Sequence, residues 1–455
     1  MEEGNGFCME IKTDSRKIEK GDTFAAIKEA THDGHEHIGE AIFNGASKVI
    51  AEYGLYSVDT LIVKDTREYL IEEMNRRYKE ELADLKLIGV TGTNGKTTSC
   101  YLLYQALNKL GHKCAYIGTI GFYKEEGKAR TLNNTTPDVV ELYDMLLECK
   151  KEGYEYVAME VSSHALDKNR IGHLEFDYVM FTNLTKDHLD YHKTMDSYLE
   201  AKLKLFEHVK EGGKRIVNLD DSYAESFLKN GAITYGTKEN ADYRFEITER
   251  DITHSIFTVE KDNIKKEYET ALIGTYNIYN LVSIMVVLDD LELLDESIVK
   301  GLEEPRGRME KIAYKDSMII IDYAHTPDAT WNILKTMKEL NPDHIYTVIG
   351  CGGDRDKFKR PLMADLATEY SDYVIFTSDN PRDEDPDTIL KDMIENLKKD
   401  NYEVERNREN AIYKGIQKCD KNDILLILGK GHETYQLIKG VKYDFDDRAV
   451  VMKYI

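Results

Sequence analysis

The chain has 455 residues and a formal net charge of −23, from 61 basic and 84 acidic residues. That balance argues against a nucleic-acid or anionic-membrane surface, which needs clustered cations, and the length asks for about three domains rather than one core. The six cysteines, Cys8, Cys100, Cys114, Cys149, Cys351 and Cys419, include no C-x-x-C pair, so neither a zinc site nor a disulfide framework is expected and a reducing compartment fits.

Residues 1–84 read as a small α/β unit: a turn at Asp14-Ser15-Arg16, a strand from Thr23 to Ile27, a helix ending near Gly45, and a strand from Val49 to Ala51. Nothing in this unit looks like chemistry on its own. From residue 85 to 304 strands alternate with helices. Leu85 to Val90 is an apolar strand, Thr91-Gly92-Thr93-Asn94-Gly95-Lys96-Thr97-Thr98 follows, and from Lys96 onward Tyr101, Leu102, Leu107 and Leu110 recur at helical spacing. Glycines at a strand-to-helix turn let backbone N–H groups approach phosphate oxygens, Lys96 supplies a mobile positive charge, and the Thr97 hydroxyl can hold Mg²⁺. A nucleoside triphosphate is therefore the expected ligand. Val90 stands where the first glycine of the longer G-x-x-x-x-G-K-[ST] pattern would be, so the match is to a shorter form. The plain alternative is a glycine-rich turn with an exposed lysine.

Tyr156 to Val161, Tyr178 to Asn183 and Arg215 to Asn218 are short apolar runs ending in polar residues, the pattern of a largely parallel sheet with ligands at the strands' carboxyl ends. Glu160 ends the first of them, where a carboxylate could reach a cation bound to the triphosphate; a salt-bridged or helix-capping glutamate is the competing reading. Asn183 to His192 clusters metal-capable groups, among which spacing selects no ligand. Lys202 and Lys204 lie on an amphipathic helix where lysines are ordinarily solvated. Residues 305–455 form a third alternating region, with strands at Ser317 to Asp322, Ile345 to Gly350, Tyr373 to Thr377 and Ile424 to Gly429. It has no phosphate cradle and is expected to bring a second substrate.

Taken together, the cradle, Met159 to Leu166, Asn183 to His192 and the Lys202 helix resemble the Mur ligase family, which joins amino acids to peptidoglycan precursors using ATP. The resemblance continues through Leu272 to Asn280, Gly307-Arg308-Met309-Glu310, Asp322 to Pro327 and Gly350 to Asp356. It implies an α/β fold in three domains: a UDP-sugar-binding N-terminal domain (1–84), a central P-loop ATPase-like parallel sheet with flanking helices (85–304), and a C-terminal Rossmann-like domain that binds the amino acid (305–455). It implies that Gly92, Thr93, Asn94, Gly95, Lys96, Thr97, Thr98, Asn277, Asn280, Arg308 and Asp322 serve ATP. Mg²⁺ would be held by Thr97, Glu160, His188 and Lys202, the lysine as a carbamate. Lys96, Glu160, His188 and Lys202 would be the catalytic set.

By the same resemblance, Ser15, Thr135, Thr136, Ser162 and Arg170 meet a UDP-N-acetylmuramoyl dipeptide. Asp379-Asn380-Pro381-Arg382 looks like the motif of family members that add meso-diaminopimelate. Diaminopimelate differs from lysine by one carboxylate, which a guanidinium can grip with two charge-assisted bonds. Arg355 and Arg382 are the candidates, with Glu433 for the distal ammonium and Gly429 for a backbone contact; an arginine capping the acidic turn Asp383-Glu384-Asp385 is the structural alternative. Lys168 replaces a frequent glutamine, Lys28-Glu29-Ala30 replaces a glycine-bearing loop, and the chain begins close to Asp14.

Relatives that use L-lysine or another amine, folate-polyglutamylating ligases, and a nucleotide-binding protein without turnover are the rival readings. No apolar run reaches transmembrane length and Met1-Glu2-Glu3-Gly4-Asn5 is unlike a signal peptide, so a cytoplasmic protein without nucleic-acid or membrane partners is expected.

Overall fold

A computed structural model describes residues 11–28, 33–125, 127–228 and 231–455. Three main sheets succeed one another along the chain. The first has four parallel strands in sequence order: Ile11–Lys12, Thr23–Ala25, Lys48–Ala51 and Asp59–Ile62. Alternation divides its side chains: Phe24, Val49 and Ala51 pack on Ile38 and Ala41, whereas Ala25 and Ile50 join Leu70, Ile71 and Met74 in the next core. The helix expected to end at Gly45 is a 3-10 turn, Gly34–His37, followed by Ile38–Phe43. Glu29 and Ala30 lie outside the described residues.

The second sheet has eleven strands. Its middle is parallel, in the order Val209–Asn218, Phe176–Phe181, Lys86–Thr91, Tyr156–Glu160, Cys114–Gly118. Both edges turn antiparallel, through Gly121–Glu125 on one side and through Tyr243–Arg250, Ser255–Lys261 and Ile264–Thr270 on the other. Helices Lys96–Lys109 and Thr275–Asp290 cover one face, and Val139–Lys151 covers the other. Because Lys86–Thr91 lies between Phe176–Phe181 and Tyr156–Glu160, the carboxyl ends of these strands converge on the cradle.

The third sheet has six strands, in the order Glu310–Tyr314, Ser317–Asp322, Ile424–Leu428, Ile345–Ile349, Tyr373–Phe376, Tyr402–Val404. Only the first is antiparallel. The runs Ile319-Ile320-Ile321 and Leu425 to Leu428 are buried on both faces, which is why they read as continuously apolar. Their carboxyl ends carry Asp322, Gly350, Asp379 and Gly429 to one rim. Among the described residues no helix is long and apolar enough to cross a membrane.

Candidate active site

Gly95, at φ +87°, caps the Lys96–Lys109 helix, and a Cβ there would stand 2.4 Å from Asn280 Oδ1. Gly92, at φ +152°, is more constrained still, since a Cβ would fall 1.9 Å from Thr182 Oγ1. The loop is braced from the neighbouring strand. Thr93 N donates to Asn183 O (2.8 Å) and Asn94 N to Asn183 Oδ1 (2.9 Å). The amides of Lys96, Thr97 and Thr98 precede the first intrahelical bond, Ser99 N to Gly95 O, and so form the open donor end of the helix.

Two lysines share one acceptor. Lys96 Nζ donates to Gly92 O (2.8 Å) and Thr93 O (2.9 Å), and Lys202 Nζ donates to the same Gly92 O (2.7 Å). Lys202 is not a solvated lysine: it is 1% exposed, over the Tyr198 ring, whereas Lys204 on the same segment reaches solvent. Burial first, and then the Lys96 charge, hold the Lys202 amine well below the ordinary lysine range, while burial lowers Lys96 against the opposing pull of Glu160 and Asp187. Lys202 is thus the member of the pair that favours the neutral amine.

Glu160 is fully buried, and its carboxylate accepts from Tyr116 OH, Thr119 N (2.9 Å) and Thr119 Oγ1 (3.1 Å). It is neither ion-paired at contact distance nor a helix cap. His188 adopts a left-handed backbone, φ +53°, with its ring edge-on to His164 at 4.8 Å. Burial lowers its pKa, Asp187 opposes that, and Lys96 and Lys202 add to it. A neutral imidazole is the form that can ligate a metal. Among the described residues no three His, Cys, Asp or Glu side chains gather into a metal site. Thr97 and Glu160 offer oxygen donors of the kind Mg²⁺ takes, a cation that relies on few protein ligands and completes its shell with phosphate oxygens and water.

The residues expected to serve ATP beyond the cradle are engaged with protein. Asn277 Nδ2 donates to Ile273 O (3.0 Å), and Asn280 Oδ1 accepts from Ser99 Oγ (3.5 Å), so both tie the Thr275–Asp290 helix into place. Asp322 accepts from Met309 N (2.8 Å) and Ala324 N (2.7 Å), while the Arg308 guanidinium lies 4.6 Å from the Tyr323 ring with Nε buried and unpartnered. Sequence reasoning missed Asp328. Its carboxylate accepts from Asn94 Nδ2 (3.1 Å) and Thr185 Oγ1 (3.2 Å), which brings the third sheet's leading helix onto the cradle itself.

The residues expected to meet the acceptor fall into two groups. Thr135 Oγ1 is 3.1 Å from Thr119 Oγ1, Thr136 Oγ1 donates to Glu160 O (2.9 Å), Ser162 N donates to Thr136 Oγ1 (3.0 Å) and Arg170 Nη1 to Thr136 O (3.3 Å). These form one cluster against Glu160. Ser15 stands apart at the first sheet, donating to Glu40 Oε2 (2.6 Å).

On the rim of the third sheet, Arg382 sits at φ +53° with Nη1 donating to Gly353 O (2.8 Å) and Asn380 O (3.4 Å). Neither acceptor belongs to Asp383, Glu384 or Asp385, so the acidic-turn cap is excluded; Glu384 pairs with Arg360 and Lys357 instead. Half-buried, Arg382 keeps Nε and Nη2 without a described protein acceptor. Arg355 is exposed, bonded only to Asp354 O (3.1 Å). Asp379 Oδ2 lies 2.5 Å from where a Gly429 Cβ would be. Pro381 O closes against Gly353. Glu433 is not a free carboxylate: it accepts from Asn380 Nδ2 (2.7 Å) and pairs with the fully buried Lys430 (3.1 Å), a partner that sequence spacing did not reveal.

Residues 90–288 match the Mur ligase middle domain and residues 307–431 the Mur ligase, glutamate ligase domain. The chain is 39% identical to the UDP-N-acetylmuramoyl-L-alanyl-D-glutamate--2,6-diaminopimelate ligase of Halalkalibacterium halodurans, over 100% of this chain and 95% of that protein. It is 40% identical to the enzyme of the same name from Clostridium perfringens, over 97% and 93%. A solved structure of a ligase of that name superposes with a TM-score of 0.69 at 33% identity, covering 98% of this chain and 94% of the other. The MurF ligase of Thermotoga maritima in complex with ADP shares the fold, with a TM-score of 0.66 at 18% identity over 92% and 93% of the two chains.

Proposed function

The chain belongs to the Mur ligase family, and from that premise we propose that it is an ATP-dependent ligase joining meso-diaminopimelate to the D-Glu side-chain carboxylate of UDP-N-acetylmuramoyl-L-Ala-D-Glu. The observation that carries the ligase reading is the buried Lys202 amine, 2.7 Å from Gly92 O beside Lys96. A neutral amine there takes up CO₂, loses a proton and becomes a carbamate, an anionic ligand aimed at the cradle. Mg²⁺, held by Thr97, Glu160, His188 and that carbamate, would supply charge neutralisation on the transferring oxygens.

In this reading the D-Glu carboxylate takes the γ-phosphate of ATP and becomes an acyl phosphate, with ADP released from bonding to it. Lys96 follows the charge on the phosphoryl oxygens. The diaminopimelate amine then attacks the acyl carbon, and phosphate leaves as the amide forms. Thr135, Thr136, Ser162 and Arg170 hold the acceptor beside Glu160, Ser15 serves the UDP end, and Arg308, Asp322, Asn277 and Asn280 frame the nucleotide base. The Asp328 contacts with Asn94 and Thr185 keep the third module on the cradle, where an acyl phosphate must be shielded from water. Arg382, with Nε and Nη2 open, receives the second carboxylate of diaminopimelate, assisted by Arg355; Asp379, Asn380, Pro381 and Gly429 shape the pocket. Glu433 meets the distal ammonium while shared with Lys430.

The module boundaries at residues 84 and 304 belong to the same proposal. Its test is phosphate release by the purified protein with ATP, the UDP-sugar dipeptide and a panel of amines. Release that requires both acceptor and meso-diaminopimelate is expected. Release with L-lysine at equal efficiency would reassign the amine, and no release with any amine would remove the ligase reading.

A further inference from the structure

The loops that carry Arg355 and Arg382 are fastened together from beneath by a side chain outside the site just described. Arg360, in the first turn of the Lys359–Tyr370 helix, has no solvent exposure. Its Nη1 donates to Glu384 Oε2 (3.1 Å) and Asp392 Oδ2 (2.7 Å), and its Nη2 to Glu384 Oε1 (2.8 Å) and Gly352 O (3.3 Å). Glu384 Oε1 also accepts from Asp354 N (2.5 Å). One carboxylate, at the end of the Asp379 to Glu384 loop, therefore grips the Gly352 to Asp354 loop through both a backbone amide and the buried guanidinium.

On the upper side the same two loops meet through Arg382 Nη1 to Gly353 O, Gly353 N to Asn380 O (2.9 Å) and Asp383 N to Asp354 Oδ2 (3.0 Å). There is no slack between them: a Cβ on Gly353 would fall 1.9 Å from Pro381 O. Burial of a cation is sustained here by two carboxylates. The Arg360 guanidinium beside it holds the Glu384 carboxyl down to about 2, so that carboxylate is ionised at neutral pH. A planar fork that spans two carboxylates and a carbonyl is not replaceable by a lysine point charge.

We propose that Arg360, acting through Glu384, is the positioning residue for amino-acid selectivity: it fixes the spacing of the two loops, and so the aim of Arg382, without touching substrate. This rests on the reading of Arg382 as the group that binds the second carboxylate. The test compares kcat and KM for meso-diaminopimelate and L-lysine, and KM for ATP and the UDP-sugar dipeptide, in Arg360→Lys, Glu384→Gln, Arg382→Ala and the Glu384→Gln/Arg382→Ala double variant.

Glu384→Gln leaves the Arg360–Asp392 pair in place, and carries the test if Arg360→Lys does not fold. The expected result is a KM for meso-diaminopimelate raised roughly 10-fold to 100-fold, KM for ATP and acceptor within about twofold of the parent, and no further loss of selectivity when Glu384→Gln is added to Arg382→Ala. A uniform fall for all substrates at an unchanged diaminopimelate-to-lysine ratio, or full additivity in the double variant, would overturn the inference. An unchanged ratio in Arg382→Ala would remove the reading beneath it, and the inference with it. A changed ratio in Arg382→Ala but not in Glu384→Gln would overturn the inference alone.

Discussion

In the proposed function the phosphate cradle and the amino-acid rim solve similar problems, each having to present fixed positive charge to an anion, by opposite means. The cradle is one continuous turn, residues 91–98, in which backbone conformation does most of the positioning and Lys96 bonds to carbonyls three and four residues away. The rim is assembled from separate loops around residues 352–355, 379–384 and 429–433, laced by side chains: Arg360 with Glu384, Lys430 with Glu433, Asn380 with Glu433. A site made by backbone is sensitive to what can be added to it. A site made by side-chain lacing is sensitive to what is removed from beneath it.

The largest effect expected from this contrast is at Lys202, where the backbone site borrows a side chain from another element. Lys202→Ala should lower amide formation by about 10³-fold while leaving nucleotide binding measurable by calorimetry, and added bicarbonate should restore activity to CO₂-depleted parent enzyme but not to the variant. Turnover in Lys202→Ala close to the parent's would contradict the carbamate role given to Lys202 while leaving the ligase reading in place. Next is Arg382→Ala, expected to cost about 2 to 4 kcal/mol in selectivity for diaminopimelate over lysine, read as the ratio of the two kcat/KM values, with the ATP dependence unchanged.

A pair of glycine substitutions sharpens the comparison further. Gly92→Ala drives a Cβ into Thr182 and should destabilise the central module by about 1–3 kcal/mol with loss of ATP affinity. Gly352→Ala meets only the end of a flexible Arg382 side chain, so it should move KM for the amino acid and leave thermal stability nearly untouched. Equal effects on both ligands in both variants would dissolve the contrast.

The smallest effect concerns acid. His432 is pushed down to about 3 by burial, with Arg308, Arg306 and Lys430 adding to it. An unfolded histidine binds a proton near pH 6.5 and the folded one does not until about pH 3, so the unfolded chain holds more protons in that window and stability falls as pH falls through it. The loss from this residue should not exceed about 1.4 kcal/mol per pH unit, and His432→Gln should lessen the pH dependence of the melting temperature between 6.5 and 5, the part owed to His164 and His325, each held down to about 4, remaining.

The same contrast explains what the sequence disclosed. Thr91 to Thr98 is legible because its chemistry is local, and the strands Ser317–Asp322 and Ile424–Leu428 are legible because burial on both faces makes them uniformly apolar. Lys202 looks solvated by its helical spacing and is recovered only by resemblance, since its burial depends on Gly92, far away in the chain, as well as on Tyr198 one turn earlier on the same helix face. Glu433 illustrates the limit most clearly. As a residue in a motif it reads as a free carboxylate, and only the packing of Lys430 beneath it shows a carboxylate already engaged. The antiparallel edges of the central sheet also escaped, because hairpins at Gly118–Gly121 and Lys261–Ile264 carry no chemistry to mark them.

The proposed reaction turns on a carboxyl group activated at the cradle and captured by an amine held at the rim. The direct measurement supplies the UDP-sugar dipeptide with isotopically labelled oxygen in its D-Glu side-chain carboxylate, together with ATP and meso-diaminopimelate, and follows the label by mass spectrometry. One labelled oxygen in each released phosphate, appearing in step with the amide product, is the expected result. Unlabelled phosphate, or amide formed without phosphate, would contradict it.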